Sequence, residues 1–360
     1  TWGDVKEQWS IVGGTGKYQG ITGTGTTGKL ELLRDRPDDW TGRTLAPDFS
    51  LDTPDDVLKV LPPHPPRFLA GAKVPGTDDW TLARILGVGG FGEVWLATHD
   101  DRYDPPMAVK FFFDQTGKDV IREADLVRRV TEAMTTLDAG GHVVRIVRTR
   151  LRGDAPWLGF EYVGGGNLST WLFQLAARPV AERVPQVVSA LRQLCRGAGL
   201  FHGLPTPIAH RDLKPSNILL DAESKRLKIT DFGIGAVTQR EANARDGRGQ
   251  TTKGERLMSY LRGAHTPTYS SPQQRRGDAP DPRDDVHALG VIGYQLLVGR
   301  LDQCPGPGAV KQLKRLGVPD GLIELVTDCA SEELADRPAD ARVLGSRLEA
   351  LGRATVAGAA

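Results

Sequence analysis

The sequence predicts an α+β fold with two lobes, a small β-rich lobe and a larger helical lobe, because its two parts carry different hydrophobic patterns. In residues 78–162, short apolar runs of strand length are separated by turn residues. In residues 167–350, longer segments repeat their apolar residues at helical spacing. A series of strands followed by a series of helices is typical of α+β proteins.

Each element is predicted from its own pattern. The first lobe should contain strands over residues 80–86, 93–98, 107–113, 143–150 and 157–162, with a helical period over residues 118–137. The second lobe should contain helices over residues 184–201, 285–297 and 321–329. The boundary falls at a glycine turn that ends at Gly166.

The two ends of the chain differ in composition from these lobes. Gly and Thr dominate residues 13–28, which predicts two short strands with glycine turns, and four prolines in residues 62–66 suit a linker. We therefore expect residues 1–75 to form a hairpin-like or disordered leader. Removal of residues 1–70 should have little effect on folding, because they lack apolar mass for a core. Residues 351–360 are small and apolar and are expected to form a tail.

Composition limits the class of protein. The 360 residues are 39% hydrophobic and 25% charged, and the net charge of +1 gives no general attraction to nucleic acid or anionic membrane. No apolar run reaches the roughly 18 residues of a membrane helix. Three cysteines lie far apart, without zinc-ligand spacing or a disulfide framework. These features favour a reducing compartment, and we expect a cytoplasmic location.

The most informative motif runs from His210 to Asn217, and Asp231-Phe232-Gly233 follows it after a short apolar run. Phosphoryl transfer needs a group that accepts the hydroxyl proton and groups that carry metal. Asp212, Asn217 and Asp231 have the side chains for these tasks, in the required order. On these two segments, the sequence resembles the Hanks-type (eukaryotic-like) Ser/Thr protein kinases, in particular their bacterial branch.

The resemblance covers residues 78–350 and implies a bilobal protein-kinase fold, with an N-lobe over about residues 78–162 and a C-lobe over about residues 167–350. It implies transfer of the γ-phosphate of ATP, with Mg²⁺ or alternatively Mn²⁺, to Ser and Thr hydroxyls of protein substrates. It also implies autophosphorylation of the activation segment, for which the chain could dimerise. No nucleic-acid partner is implied.

The nucleotide side begins with the pattern G-x-G-x-x-G from Gly87 to Gly92. A strand rather than a helix follows these glycines, which distinguishes the motif from a dinucleotide-binding turn. Lys110, on the next strand, is suited to the α and β phosphates, and the run from Phe160 to Val163 resembles the hinge at adenine. The resemblance assigns nucleotide binding to Leu86, Gly87, Gly89, Phe91, Gly92, Val94, Ala108, Lys110, Phe160, Glu161, Val163 and Leu219.

Two further patterns on the nucleotide side each allow two interpretations. Glu123 is the preferred partner for Lys110 on the helix that follows, because its spacing fits the family, and Glu132 is the competing candidate. The stretch Gly23–Lys29 fits the start of a P-loop, but Leu30 stands where a metal-binding Ser or Thr is needed. We therefore do not interpret that stretch as a nucleotide site.

On the catalytic side, the resemblance assigns a role to each polar residue of the motif. Asp212 accepts or orients the substrate hydroxyl proton, and Lys214 neutralises the γ-phosphate. Asn217 and Asp231 hold the metal, a hard cation that prefers oxygen ligands. Arg211 can read a phosphate on the activation segment, residues 231–272, where the candidate hydroxyls are those of Thr251, Thr252 and Ser259.

Two residues farther along should support this loop. Asp285 is expected to bind the backbone of the catalytic loop. Arg337 is expected to face position 273, where the family has a glutamate but this chain has Gln273. We expect Arg337 either to keep part of its hydration or to find another carboxylate, and Asp336 and Glu333 are nearby in sequence.

Three functions from different classes fit part of the pattern. An active Ser/Thr protein kinase uses every motif. A pseudokinase that binds nucleotide as a scaffold would not need intact Lys110, Asp212, Asn217 and Asp231. A small-molecule phosphotransferase would lack the peptide-docking features, namely Lys214, Ser271-Pro272 and Arg337. The sequence therefore favours the active protein kinase.

Overall fold

The computed structural model describes residues 7–12, 22–27, 66–89, 92–101, 103–112, 130–133, 141–231 and 268–357. The chain divides into two compact units. The first unit comprises residues 1–114, 147–162 and 257–263, and the second comprises residues 115–146, 163–256 and 264–360. The α+β fold class predicted from the sequence is confirmed, and the described residues 130–133 and 141–146 belong to the second unit.

The first unit contains two antiparallel β-structures. Strands β1 (Glu7–Val12) and β2 (Thr22–Thr27) pair with each other, as the hairpin expectation required. The main sheet has five strands in the order β3-β4-β5-β7-β6. Its strands are β3 (Trp80–Gly89), β4 (Gly92–His99), β5 (Met107–Phe112), β6 (Ile146–Arg150) and β7 (Trp157–Glu161).

One face of this sheet forms the core of the first unit. Alternate residues of neighbouring strands meet in register, with Trp95 opposite Val109 and Phe111 opposite Trp157. All four of these side chains are buried. Burial of apolar area on one face stabilises the sheet by roughly 25 cal/mol per Å². Because side chains alternate between the two faces along each strand, burial of one set also determines which residues lie on the opposite face.

The segment before the sheet packs against it, which corrects the predicted leader boundary at residue 75. Phe68 contacts the ring of Phe111 with centroids 4.4 Å apart, and Val74 is fully buried. The backbone N–H of Arg67 donates to the buried carboxylate of Glu93, which also accepts from the indole N–H of Trp95 at 2.8 Å. A buried carboxylate needs such donors, so residues 67–74 belong to the folded unit.

The second unit is mainly helical. Its helices are α1 (Leu168–Ala176), α2 (Val180–His202), α3 (Pro272–Arg276), α4 (Pro282–Val298), α5 (Ala309–Arg315), α6 (Asp320–Cys329) and α7 (Ala341–Ala357). Strands β8 (Ile218–Leu220) and β9 (Leu227–Ile229) form a small antiparallel pair. The buried helix α4 lies in the apolar core, and α2 packs against both α4 and α7.

The observed helices extend and correct the predicted ones. The three helices predicted in this unit are present within α2, α4 and α6. Of the predicted helix over residues 118–137, residues 130–133 are helical and the rest lies outside the described residues. Helix α7 continues through Ala357, into the segment predicted as a tail. Its buried residues Ala341, Leu344 and Leu348 keep helical spacing, but the many charged and small residues between them hid this pattern.

Across the described parts of the chain, none of the helices combines the length and the apolar character that spanning a membrane would require.

Candidate active site

The register of the main sheet brings several predicted nucleotide residues of the first unit onto one face, although Glu161 lies opposite the core residue Met107. Val94 lies opposite Lys110, and Ala108 lies opposite Phe160. Gly87 is the partner of Val94 on the neighbouring strand. Residues directly opposite each other in an antiparallel pair share a face. We call this surface the Lys110 face; it lies opposite the apolar core of the unit.

Glycine is present at two positions at the edge of this face for different structural reasons. Gly92 has φ 152°, and a Cβ there would lie 1.8 Å from the carbonyl oxygen of Phe111, so the protein itself requires glycine. At Gly87, a Cβ would meet nothing within 4 Å. Packing therefore does not require glycine at 87, whereas close approach of a phosphate to the backbone would. Leu86 is half-buried in the same strand.

The catalytic loop brings three predicted residues into direct contact. Lys214 Nζ lies 3.1 and 3.0 Å from the two carboxylate oxygens of Asp212. Asn217 Nδ2 donates to the backbone carbonyl of Asp212 at 2.9 Å and to its Oδ2 at 3.0 Å. The Asp212 side chain keeps 35% of its area exposed. Its carboxylate is therefore held in position while it stays accessible to a substrate hydroxyl.

His210 holds the loop by hydrogen bonds at both ring nitrogens. Its Nδ1 accepts from the backbone N–H of Asp212 at 3.2 Å, and its Nε2 then donates to the Thr230 carbonyl at 2.8 Å. This pattern fits the neutral Nε2–H tautomer. Because the ring is fully buried, it acts as a packed connection and not as a solvent-exposed base.

Asp285 binds the backbone of the same loop, as predicted. Its carboxylate accepts from the N–H groups of His210 at 2.7 Å and Arg211 at 2.8 Å, and from His202 Nε2 at 2.8 Å. Complete burial opposes ionisation, but the hydrogen bonds from His202 and from the His210 N–H outweigh it and lower the pKa of Asp285. The ionised carboxylate thus fixes the start of the catalytic loop.

Two of the three described non-glycine residues with left-handed backbone conformations lie at this site, and the third is Lys225. Arg211 has φ 64° and Asp231 has φ 61°. Such strain costs on the order of 1 kcal/mol or more and is concentrated at functional sites. Thr230, just before Asp231, donates its N–H to the Asn217 carbonyl at 3.0 Å. The backbones of the two predicted metal-binding residues are therefore linked through this bond.

The side chain of Arg211 lies in a buried ion pair that the sequence did not predict. Its Nε lies 3.2 Å from Asp284 Oδ2, and its Nη2 donates to the Asp278 carbonyl at 3.2 Å. Asp284 also accepts from Ser271 Oγ at 2.6 Å. Burial raises the pKa of Asp284, against the lowering by Ser271 and Arg211. Arg211 thus already has a carboxylate partner, and its reading of a phosphate stays a prediction.

The remaining predicted residues fall into two groups, those outside the described residues and those in other elements. Phe91, Glu123 and most of the activation segment, including Thr251, Thr252 and Ser259, lie outside the described residues. Gly89 is described in its backbone alone, and the competing candidate Glu132 is exposed in the helical turn of residues 130–133. Glu161 ends β7, and Val163, which is half-buried, begins the next segment of the second unit. Leu219 lies in β8.

Comparison with known proteins supplies the family. Residues 80–312 match the family described as the protein kinase domain. The chain belongs to the protein kinase family. The match covers more than half of the chain and includes Lys110, Asp212, Asn217 and Asp231. Members of this family use ATP and a divalent metal and act on protein substrates.

Several curated relatives of this kinase are bacterial. Serine/threonine-protein kinase A of Synechocystis is 28% identical over 298 residues, which cover 76% of this chain and 53% of that protein. Serine/threonine-protein kinase PknL of Mycobacterium tuberculosis is 31% identical over 302 residues, which cover 79% and 65%. The predicted resemblance to bacterial Hanks-type Ser/Thr kinases is confirmed. The chain spans about half to two thirds of the length of these relatives.

A solved structure shares the kinase fold. The crystal structure of the Mycobacterium tuberculosis PknI kinase domain aligns with a TM-score of 0.55 at 21% identity, covering 79% of this chain and 99% of that one. The bilobal α+β kinase fold predicted from the sequence is thereby confirmed.

The residues present fit the divalent metal that the family uses. The described residues contain no group of three or more His, Cys, Asp or Glu side chains that could bind a metal. Mg²⁺ commonly needs only one or two protein ligands, because substrate phosphates and water complete its shell. Asn217 turns its Nδ2 toward Asp212, which leaves its amide oxygen for a cation. One amide and one carboxylate, on Asp231, are therefore a suitable donor set.

Sequence reasoning missed several residues that support the candidate loop. Ser271 caps α3 and binds Asp284, and Gln274 Nε2 donates to the Arg211 carbonyl at 2.5 Å. Glu93 is a buried carboxylate directly after the glycine motif. The capping pattern at Ser271 and the acid within an apolar strand were the available signals.

Proposed function

We propose that this chain transfers the γ-phosphate of ATP to serine and threonine hydroxyls of proteins. The observation that carries the proposal is the contact of Asp212 with both Lys214 and Asn217, at distances of 3.1 Å or less. A loose phosphoryl-transfer transition state needs positioning and charge neutralisation more than strong base chemistry. An aspartate held by a cation and an amide meets both needs.

Each residue of the loop has a distinct task in this proposal. Asp212 accepts a hydrogen bond from the substrate hydroxyl and takes its proton as the new P–O bond forms. Lys214 then neutralises charge on the transferred phosphoryl group, whose bond to the ADP leaving group breaks. Asn217 and Asp231 would hold Mg²⁺, whose charge offsets that of the phosphate oxygens.

In the first unit, Lys110 would bind the α and β phosphates, and the glycine motif would approach the phosphates through its backbone. The open space beside Gly87 and the common face of Val94, Ala108 and Lys110 support this assignment. Glu123 stays our proposed partner for Lys110. The backbone of Glu161 and Val163 would bind the adenine edge, with Leu219 beneath the ring.

Regulation is proposed from the composition of the activation segment. Thr251, Thr252 and Ser259 lie among several arginines and are candidates for autophosphorylation, which a dimer would allow in trans. A phosphate there would have to compete with Asp284 for Arg211. Activation would then include a change of partner at Arg211.

Incubation of the chain with Mg-ATP, followed by mapping of phosphosites by mass spectrometry, tests the proposal. We expect phosphoserine or phosphothreonine on the chain or on an added protein, and none with the Asp212→Asn variant. ATP binding without any phosphoprotein would indicate the scaffold alternative. Transfer to small alcohols without transfer to protein would indicate the small-molecule phosphotransferase.

A further inference from the structure

A cavity of about 790 Å³ opens on the second unit, away from the residues assigned to catalysis. It lies among helix α2, the turn that joins β8 to β9, and the first turns of α7. Asp212, Lys214, Asn217 and Asp231 are absent from its described lining. A ligand pocket commonly has a volume of roughly 300–1,000 Å³, so this space is large enough for one.

The lining of this cavity is strongly basic. It includes five cationic side chains and one carboxylate, that of Glu349. The cationic residues are Arg192, Arg196, Lys225, Arg226 and Arg342. The chain as a whole has a net charge of only +1, so this concentration of positive charge is local.

Protein partners neutralise only part of that charge. Arg342 pairs with Asp340 through two contacts at 3.0 and 2.7 Å. Arg192 instead donates to a neutral group, the Leu348 carbonyl, at 2.7 Å, and Lys225 donates to the Ala222 carbonyl at 2.6 Å. A backbone carbonyl satisfies a donor but does not cancel a full positive charge.

The spacing of two arginines on α2 places like charges close together. Arg192 and Arg196 are four residues apart, so they lie on the same face of the helix, where like charges destabilise it. Arg196 is exposed and has no ion-pair partner among the described residues. An anion bound beside this pair would replace the repulsion with attraction.

His142 shows that the positive charge reaches the inner part of the cavity. It lines the cavity and is buried, and its Nδ1 lies 3.1 Å from the Leu227 carbonyl. Burial, followed by the charges of Arg196, Arg226 and Lys228, lowers the pKa of His142 despite the hydrogen bond to Leu227. The positive charges of Arg196 and Arg226 therefore reach His142 and disfavour a further cation at this wall of the cavity.

We propose that this cavity is a binding site for a phosphate monoester, distinct from the nucleotide site. Four of its five cationic residues are arginines, whose planar guanidinium groups match phosphate oxygens in pairs. A phosphate monoester carries about −1.5 to −2 charges at neutral pH, which the excess of positive groups can balance. The volume exceeds that of a phosphate group alone and leaves room for the residue or small molecule that carries it.

The test measures binding of a fluorescent phosphothreonine peptide by polarisation, with a non-hydrolysable ATP analogue and Mg²⁺ present to fill the nucleotide site. The matched peptides carry unmodified threonine or glutamate at the same position. Inorganic phosphate and free phosphothreonine serve as competitors. We expect binding of the phosphopeptide alone among the three peptides. If inorganic phosphate displaces the phosphopeptide at the same concentration as free phosphothreonine does, that result would support the site and would identify its ligand as a free anion.

The variants locate the site. Arg196→Glu should weaken phosphopeptide binding by about tenfold or more, because it reverses one exposed charge of the lining. Arg315→Glu, an exposed charge reversal on α5 outside the cavity, should not. Both variants should keep the wild-type phosphoryl-transfer rate, which separates this proposal from the proposed function. If thermal unfolding shows that Arg196→Glu impairs folding, the milder variant Arg196→Gln replaces it in the binding measurement.

Three results would overturn the proposal. They are absence of measurable binding of any phosphorylated probe, equal binding of the glutamate peptide, and equal loss of binding in the Arg196→Glu and Arg315→Glu variants.

Discussion

Arg337 donates from Nη1 to Oε1 of Gln273 at 3.1 Å, with the two side chains only 3% and 5% exposed. The predicted facing of these residues is confirmed. Of the two alternatives for Arg337, retained hydration does not fit its burial, and neither Asp336 nor Glu333 is among its hydrogen-bond partners in the described residues. The other acceptors for Arg337 are the backbone carbonyls of Ser331, Glu332 and Arg283, at 2.8, 3.2 and 3.3 Å. Burial lowers the pKa of Arg337, in the absence of a directly bonded carboxylate among the described residues.

The side-chain amide of Gln273 lowers the stability of the fold in a way that a carboxylate would not. Its Nε2 is buried and has no hydrogen-bond partner in the described part of the chain. We predict that Gln273→Glu raises the free energy of unfolding by about 1 kcal/mol, because it removes an unsatisfied donor and gives Arg337 an opposite charge. Denaturant unfolding measures this change.

The neighbouring glutamine gives a matched control. Gln274 Nε2 donates to the Arg211 carbonyl, so Gln274→Glu should be destabilising. Arg337→Ala should cost more stability in the Gln273→Glu background than in the wild type, which a double-mutant cycle would show. Destabilisation by Gln273→Glu would contradict this account of the pair.

The segment at residues 67–74 should contribute to stability, contrary to our expectation for removal of residues 1–70. We predict that deletion of residues 1–65 has little effect on denaturant unfolding. Deletion of residues 1–74 should lower the free energy of unfolding by about 2–5 kcal/mol, because it uncovers Phe111 and removes one donor from Glu93. Because Glu93 follows the glycine motif, KM for ATP should rise as well. Equal stability of the two deletions would refute the packing of this segment.

His287 should make stability depend on pH. Burial, followed by the charge of Arg337, lowers the pKa of His287 from 6.5 to about 4, despite its bond to the Tyr269 carbonyl. The unfolded chain therefore binds a proton that the folded chain excludes, and stability falls as pH decreases from 6.5 to about 4.

The matching variant isolates this contribution. Over that pH range, the wild type should lose up to about 3 kcal/mol more stability than His287→Asn, which has no group to protonate. Denaturant unfolding at a series of pH values measures the difference. Parallel pH profiles for the two proteins would show that His287 is not held neutral by the fold.

The contacts within the candidate loop could be anticipated from the sequence, because phosphoryl transfer fixes the chemical types and the order of the residues it needs. Asp212, Lys214 and Asn217 meet within one short loop, so local spacing was enough to bring them together. The bond between Asp285 and the loop joins residues far apart in sequence, and it was predicted only through the family resemblance.

The missed features depend on contacts that no local pattern reports. The carboxylate of Asp284 was available to Arg211 only because α4 lies beside the catalytic loop. The docking of Phe68 on Phe111 was hidden by the proline-rich run just before it. Helix α7 has too few apolar residues for its period to stand out, although three of them are buried.

The rate of phosphoryl transfer from Mg-ATP to a Ser/Thr protein substrate tests the central claim most directly. It should be compared in the wild type, Asp212→Asn, Asp231→Asn, and the control Asp302→Asn, an exposed aspartate paired with Arg300. We predict that both loop variants lose at least about 100-fold in rate while their thermal unfolding is nearly unchanged, and that the control keeps the full rate. A wild-type rate in either loop variant, or no transfer by the wild type, would contradict the account.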